Sequence, residues 1–303
     1  MAAFTAKDVM TLREQTGAGM MDCKRALVDA DGDFERAAEL LRERGIAKAA
    51  KRASKIAAEG IVYALVEGKT GVLLEINCES DFVAKGDKFH EIAAAVAKQI
   101  LATKPASVEA LLASSMNGKT VETYVQEQTA VIGEKLSVRR FTVYETNGII
   151  ETYIHMGGTM GVMLDFECAD NAEARALAHD IALHTAFSKP SYLTAAEVPA
   201  EVIEKEKAIM TQEVINEGKP AAIAEKIVLG KIKKYYEENC LLEQKFVKDD
   251  KVTIAQLIDG AAKKAGAAIK LNRFCFYVMG QGLEKKSEDL SEEVAKQVEA
   301  MKK

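Results

Sequence analysis

Gly68-Lys69-Thr70 and Gly118-Lys119-Thr120 both end the way a phosphate-binding loop ends. Such a loop needs a glycine five residues earlier, so that backbone amides can wrap the phosphates. Tyr63 and Ala113 stand there instead, and both triplets read as turn glycines. Gly17-Ala18-Gly19 opens like a dinucleotide fingerprint, but Asp22 replaces its third glycine and no strand pattern precedes it. His179 and His184 are five residues apart. On a helix their rings would diverge by about 140°, which misses the i, i+4 geometry of a zinc helix. Cys23, Cys78, Cys168, Cys240 and Cys275 form no CxxC pair and lie in apolar contexts, the pattern of free buried thiols in a reducing compartment. No GxSxG elbow occurs. The expectation is a protein that is not an enzyme, holds no metal and no cofactor, and acts by binding.

The segment with most to offer a partner is Cys78-Glu79-Ser80-Asp81-Phe82-Val83-Ala84-Lys85, which directly follows a strong strand pattern. Two readings fit it. Ser80 or Asp81 caps a following helix and Phe82 packs beneath it. Alternatively, a stiff loop presents Phe82 as an apolar wedge with Asp81 beside it, and one anchored aromatic can dominate an interface.

The elements that must position this segment are legible from spacing. Over the first 45 residues, Thr5 and Asp8 form a capping-box pattern ahead of Val9 and Leu12. Met20, Met21, Cys23, Ala26 and Leu27 make a second helical stripe, and Phe34, Ala37, Ala38, Leu40 and Leu41 a third, with Gly45 expected to end it. Residues 42–55 then carry a surplus of five positive charges. They read as a solvated helical linker or as a phosphate-binding arm, although no aromatic is present to stack on a base. An internal repeat follows. Gly60-Ile61-Val62-Tyr63 and Gly71-Val72-Leu73-Leu74-Glu75-Ile76-Asn77-Cys78 recur as Gly148-Ile149-Ile150-Glu151 and Gly161-Val162-Met163-Leu164-Asp165-Phe166-Glu167-Cys168. Each copy is strand, glycine turn, strand, then helix, with Phe141–Tyr144 and Phe274–Val278 available to complete each sheet. Between Pro199 and Tyr236 two charged helical stripes flank Gly218-Lys219-Pro220, with Pro220 expected at the first helical position. This is a projecting antiparallel hairpin, read as an intramolecular coiled coil, as an oligomerisation arm, or as both.

At 303 residues, with 48% apolar and 29% charged side chains, the chain has room for about two domains and excludes a disordered or collagen-like protein. Lysine and arginine total 41 against 46 acids, a balance that disfavours direct nucleic-acid binding. No apolar run approaches membrane-spanning length. The first residues carry no leader pattern, so a cytosolic protein is expected.

Leu12-Arg13-Glu14-Gln15-Thr16-Gly17-Ala18-Gly19-Met20-Met21-Asp22-Cys23-Lys24 resembles the N-terminal signature of the bacterial elongation factor Ts family. Ser80-Asp81-Phe82-Val83-Ala84 resembles its second signature and Tyr153-Ile154-His155 a third, in the family's order along nearly the whole chain. The resemblance implies an α+β fold with a ubiquitin-associated-like (UBA-like) three-helix bundle at 1–45 and a basic linker at 46–58. It further implies a duplicated core with antiparallel sheets (59–140; 141–198 with 241–283), an inserted coiled-coil hairpin at 199–240 and a terminal helix at 284–303. The implied function is guanine nucleotide exchange on elongation factor Tu during translation elongation. Leu12, Met20, Met21 and Lys24 would dock on the GTPase. Ser80, Asp81, Phe82 and Val83 would disturb its magnesium and phosphate site, with Ile132 and Gly133 as further contacts. His155 and Val247 would grip another of its domains, and the hairpin would join two complexes as a dimer of heterodimers. The chain departs from the pattern at Met156, at Thr159 (usually Arg) and at Lys248 after Val247. The competing functions are a protein-binding adaptor that uses the bundle and an RNA-associated translation protein that uses the basic stretch.

Overall fold

The computed structural model describes residues 4–218 and 220–284. Beyond Glu284, the expected terminal helix lies outside the described residues. The chain sorts into two compact units. One is drawn from the chain up to Ile61, from Glu75–Arg140 and from Met279 on; the other comprises Val62–Leu74 and Phe141–Val278.

Three helices begin the first unit: α1 (Ala6–Thr16), α2 (Met20–Asp29) and α3 (Phe34–Arg52). The Thr5–Asp8 capping box forms as its spacing predicts, and Asp33 caps α3. Val9, Leu12, Cys23, Ala26, Leu27 and Ala37 make the small core between them. The strands β1 (Glu59–Glu67) and β2 (Thr70–Cys78) follow, then α4 (Asp81–Ala84), α5 (Asp87–Thr103) and α6 (Val108–Ala113). A two-stranded ribbon of β3 (Ser115–Met116) and β4 (Lys119–Thr120) leads to α7 (Val121–Ile132) and β5 (Ser137–Glu145). The third helix does not stop at Gly45 as expected. It continues to Arg52, and a Cβ at Gly45 would lie 3.1 Å from the Ala130 Cβ of α7. The glycine there serves the close approach of two helices, α3 and α7, and not a helix end.

The first sheet has the order β1-β2-β5. Alternation was expected along β2, with Leu74, Ile76 and Cys78 inward. The structure instead buries every residue from Gly71 to Cys78, including Glu75 and Asn77. A central strand covered on both faces loses its period-two pattern, and a buried carboxylate then has to find partners (see Discussion).

In the second unit, β6 (Ile149–His155), β7 (Met160–Glu167) and α8 (Ala172–Ser188) precede α9 (Ala200–Asn216) and α10 (Ala221–Asn239). Next come β8 (Lys245–Phe246), β9 (Asp249–Thr253), α11 (Ile254–Ala265) and β10 (Lys270–Val278). The second sheet is ordered β10-β7-β6 and antiparallel throughout, with Ile149 opposite Phe166 and Phe274 opposite Leu164. Helices α8 and α11 close its core around Val162, Phe166, Ile181, Leu241 and Ile254. Helices α9 and α10 pack on each other around Ile203, Val214, Val228 and Ile232, with a salt bridge of 2.9 Å from Lys231 to Glu213. Pro220, expected at the first helical position, instead takes the N-cap of α10, one position before its first helical residue Ala221.

Both sheets thus place the second repeat strand centrally, and the repeat has a packing consequence inside the second unit. A Cβ on Gly71 would fall 2.7 Å from Ile150 Cγ2, and one on the equivalent Gly161 would fall 2.4 Å from Val62 Cγ1. Glycine is required at both positions by close contact with branched side chains. Gly161→Ala should therefore overpack the core and lower stability by about 1–3 kcal/mol. An unchanged urea midpoint would show that the contact relaxes freely.

Candidate partner-binding site

The loop after β2 is built from its own side chains outward. Ser80 is the N-cap of the single turn α4, its hydroxyl accepting from the Val83 amide at 3.3 Å. The Ser80 amide and hydroxyl in turn donate to the two oxygens of Glu134, at 2.9 and 2.7 Å. Glu79 Oε1 accepts from the Lys135 amide at 2.7 Å and from Arg52 at 2.8 Å. Burial alone would raise the Glu79 carboxyl; that amide and the Arg52 guanidinium outweigh it and hold the group below its ordinary value. Lys135 completes the tie by donating to the carbonyls of Ala53 and Lys55 at 2.7 and 2.9 Å. At the end of β2, burial and the nearby Glu134 charge push the Cys78 thiol up to about 12, so it stays protonated and inert.

Phe82 is 85% exposed at the tip of this anchored turn. Of the two readings open from sequence, the capping role belongs to Ser80, and the ring does not pack beneath the helix. Asp81 is half-exposed and pairs with Lys85 at 2.6 Å, a hydrogen bond that holds its carboxyl below the usual range. Val83 is half-buried. The staples also bring a second group of sequence-predicted residues alongside. Ile132 ends α7 and Gly133 caps it in left-handed conformation (φ +85°), immediately before Glu134. Nothing in sequence spacing singled out Arg52, Glu79, Glu134 or Lys135. Ser80 and Glu134 are 54 residues apart, and only the adjacency of Glu134 to the Ile132-Gly133 pair pointed in that direction.

On the bundle, Met20, Met21 and Lys24 are exposed. Leu12, predicted among the same contacts, is fully buried in the three-helix core. Its side chain holds α1 against its neighbours and is not presented at the surface of the folded bundle.

In the second unit His155 is half-buried, with its Nδ1 sharing a 2.9 Å hydrogen bond with the Tyr153 hydroxyl. The following turn carries the departure from the third signature. Met156 adopts φ +46° and is 73% exposed, and Thr159 donates to its carbonyl at 3.0 Å. The two histidines of α8 diverge as their spacing predicts. His179 lies 2.9 Å from Glu151, whereas His184 is buried. The Val247 amide donates to His184 Nδ1 at 3.2 Å, so the neutral ring carries its proton on Nε2, which donates to Gln244 Oε1 at 3.0 Å. Val247 itself is exposed, and His184 fixes the backbone that presents it.

By class, this is an α+β protein of two antiparallel sheets that displays an aromatic on a cross-braced turn. The sequence model of a family described as elongation factor TS matches residues 79–281. Elongation factor Ts of Symbiobacterium thermophilum is 47% identical over 306 residues, covering 98% of this chain and 99% of the relative. That of Clostridium botulinum strain Alaska E43 is 45% identical over 300 residues (97% and 99%), and that of Nitratiruptor sp. 46% over 303 (98% and 99%). The chain belongs to the elongation factor Ts family. Among the described residues, no helix is long and apolar enough to cross a membrane.

Burial pushes His184 below the ordinary imidazole value, the Gln244 bond pulling the other way. The unfolded chain takes up this proton near pH 6.5 and the folded chain only at lower pH. Stability from this group is therefore complete above about pH 6.5 and declines as pH falls from there toward the folded-state value. Melting temperatures at pH 7 and pH 5 should differ less in His184→Gln than in the parent chain. An equal difference in both would remove His184 as the titrating group.

Proposed function

We propose that this chain is a guanine nucleotide exchange factor for elongation factor Tu, working in the cytosol during translation elongation and acting by non-covalent binding. The observation that carries the reading is Phe82, an aromatic with 85% of its surface in water on a turn tied down by Glu134 and by Glu79. An exposed ring on a floppy loop would lose its binding energy to ordering; one on a braced turn keeps it. Ser80, Asp81, Phe82 and Val83 then press on the partner's magnesium and phosphate site, with Ile132 and Gly133 alongside. The bundle over residues 1–45 serves as a UBA-like docking module through Met20, Met21 and Lys24. His155 and Val247 hold a second domain of the partner. The hairpin over 199–240 is a coiled coil that joins two complexes.

Linkage sets the energetics. A factor that weakens GDP binding must itself be weakened by GDP to the same extent. Accelerating release about a thousandfold takes roughly 4 kcal/mol off the barrier. Disturbing a bound divalent cation is a sufficient source, because that ion is the largest local charge at a diphosphate.

Catalytic amounts of the protein should speed release of fluorescent GDP from purified elongation factor Tu. Phe82→Ala should cost at least about tenfold of that acceleration, the scale of an interface hot spot, and Asp81→Ala a smaller share. Glu134→Ala should slow exchange by loosening the turn that carries the unaltered Phe82 side chain. Parent-like exchange by well-folded Phe82→Ala would overturn the wedge, and no acceleration by the parent chain would overturn the function.

A further inference from the structure

A cleft of about 690 Å³ opens within the first unit between the helical bundle and α7. Arg25, Arg42, Arg44, Lys48, Lys51 and Lys119 line it against only Asp22, Asp29 and Glu127, a surplus of three positive charges. Two of the three acids are shared, while Asp29 pairs with Arg44 alone among the described residues. Asp22 serves both Arg25 and Lys48, and Glu127 serves both Arg42 and Lys119. Lys51 has no ion pair among the described residues. Lys119 comes from the second Gly-Lys-Thr triplet, and Arg42, Arg44, Lys48 and Lys51 from the basic stretch, so the fold gathers into one hollow two features that the exchange reading leaves unused. Gly19, the N-cap of α2, carries no side-chain cap and lies on the same wall, where the positive end of that helix adds to the field.

Charge is not all the cleft offers. Leu41, Ala130 and Val131 supply an apolar wall, and Gln128, whose Oε1 is buried with no hydrogen-bond partner among the described residues, is one of the lining residues. A buried carbonyl oxygen without a donor is unfavourable until one reaches it. The volume falls within the range of small-molecule sites. No aromatic lines the cleft, so successive bases of a nucleic-acid strand would find no stacking platform.

From these observations we infer that the cleft binds a small, multiply phosphorylated anion of nucleotide size. The phosphates compete with Asp22 and Glu127 for their shared cations, and Lys51 takes a phosphate outright. The organic part lies on the Leu41–Val131 wall and donates a hydrogen bond to Gln128.

Titration calorimetry on the full chain without its partner tests this, with sodium tripolyphosphate and ATP as probes. Both should bind saturably and ATP the more tightly, by several-fold. Lys51→Glu should weaken both by about tenfold, equivalent to about 1.4 kcal/mol. Gln128→Leu should bring ATP down to the tripolyphosphate level and leave tripolyphosphate unchanged. Circular dichroism melts of both variants serve as the check on folding. Absence of saturation by either probe at about 1 mM, or parent-like binding by a folded Lys51→Glu, would overturn the site. ATP binding no tighter than tripolyphosphate in the parent chain would overturn the role of Gln128 and the apolar wall.

Discussion

The side chain of Glu75 has no contact with water, yet it is a carboxylate in the middle of the central strand β2. Arg139 donates to one oxygen at 2.8 Å and Arg140 to the other at 2.6 Å, while the Gly280 amide reaches the first at 2.8 Å. A charge in that position costs several kcal/mol unless its partners arrive together. Three separated pieces of chain must therefore be in register at once: β2, the start of β5 and the turn after β10. Because β5 begins only four residues after Gly133, fixing Arg139 and Arg140 also fixes where Glu134 and Lys135 lie. Those two residues hold Ser80 and Glu79. The exposed ring of Phe82 is thus the far end of a chain of polar contacts that starts at a buried acid.

That arrangement answers a general difficulty for proteins that act by pushing on a partner. An apolar side chain left in water gives no stability to its own fold, and a loop that carries one tends toward disorder. Here the loop's order comes from hydrogen bonds at its base, where Glu79 and Glu134 accept from backbone amides and from Arg52. Its apolar tip is left free of structural duty. The same separation appears in the second unit, where the buried His184 holds the Val247 amide and leaves the Val247 side chain exposed.

The repeat shows how much of the architecture local pattern could carry. Matching strand, turn, strand and helix segments became β1-β2-α5 and β6-β7-α8, and the completing strands took the same place in each sheet. The stripe of Phe89, Ile92, Val96 and Ile100 is buried as written. Gly45 misled because helix-ending glycines and close-packing glycines look alike in sequence, and only the position of Ala130 separates them. Leu12 misled for a related reason. A signature records residues that matter without recording whether they face a partner or their own core.

Period, capping and repetition were enough to place the three bundle helices, the repeated strand pairs with α5 and α8, and the two helices on either side of Pro220, because each is settled by residues within a few positions of one another. Which carboxylates brace the Phe82 turn, which glycines admit a neighbouring strand or helix, and which cations meet around Gln128 were decided by tertiary structure. These depend on pairs such as Ser80 with Glu134, Glu75 with Arg139 and Lys119 with Arg42's partner Glu127, and the chain between such partners constrains their meeting only after it has folded.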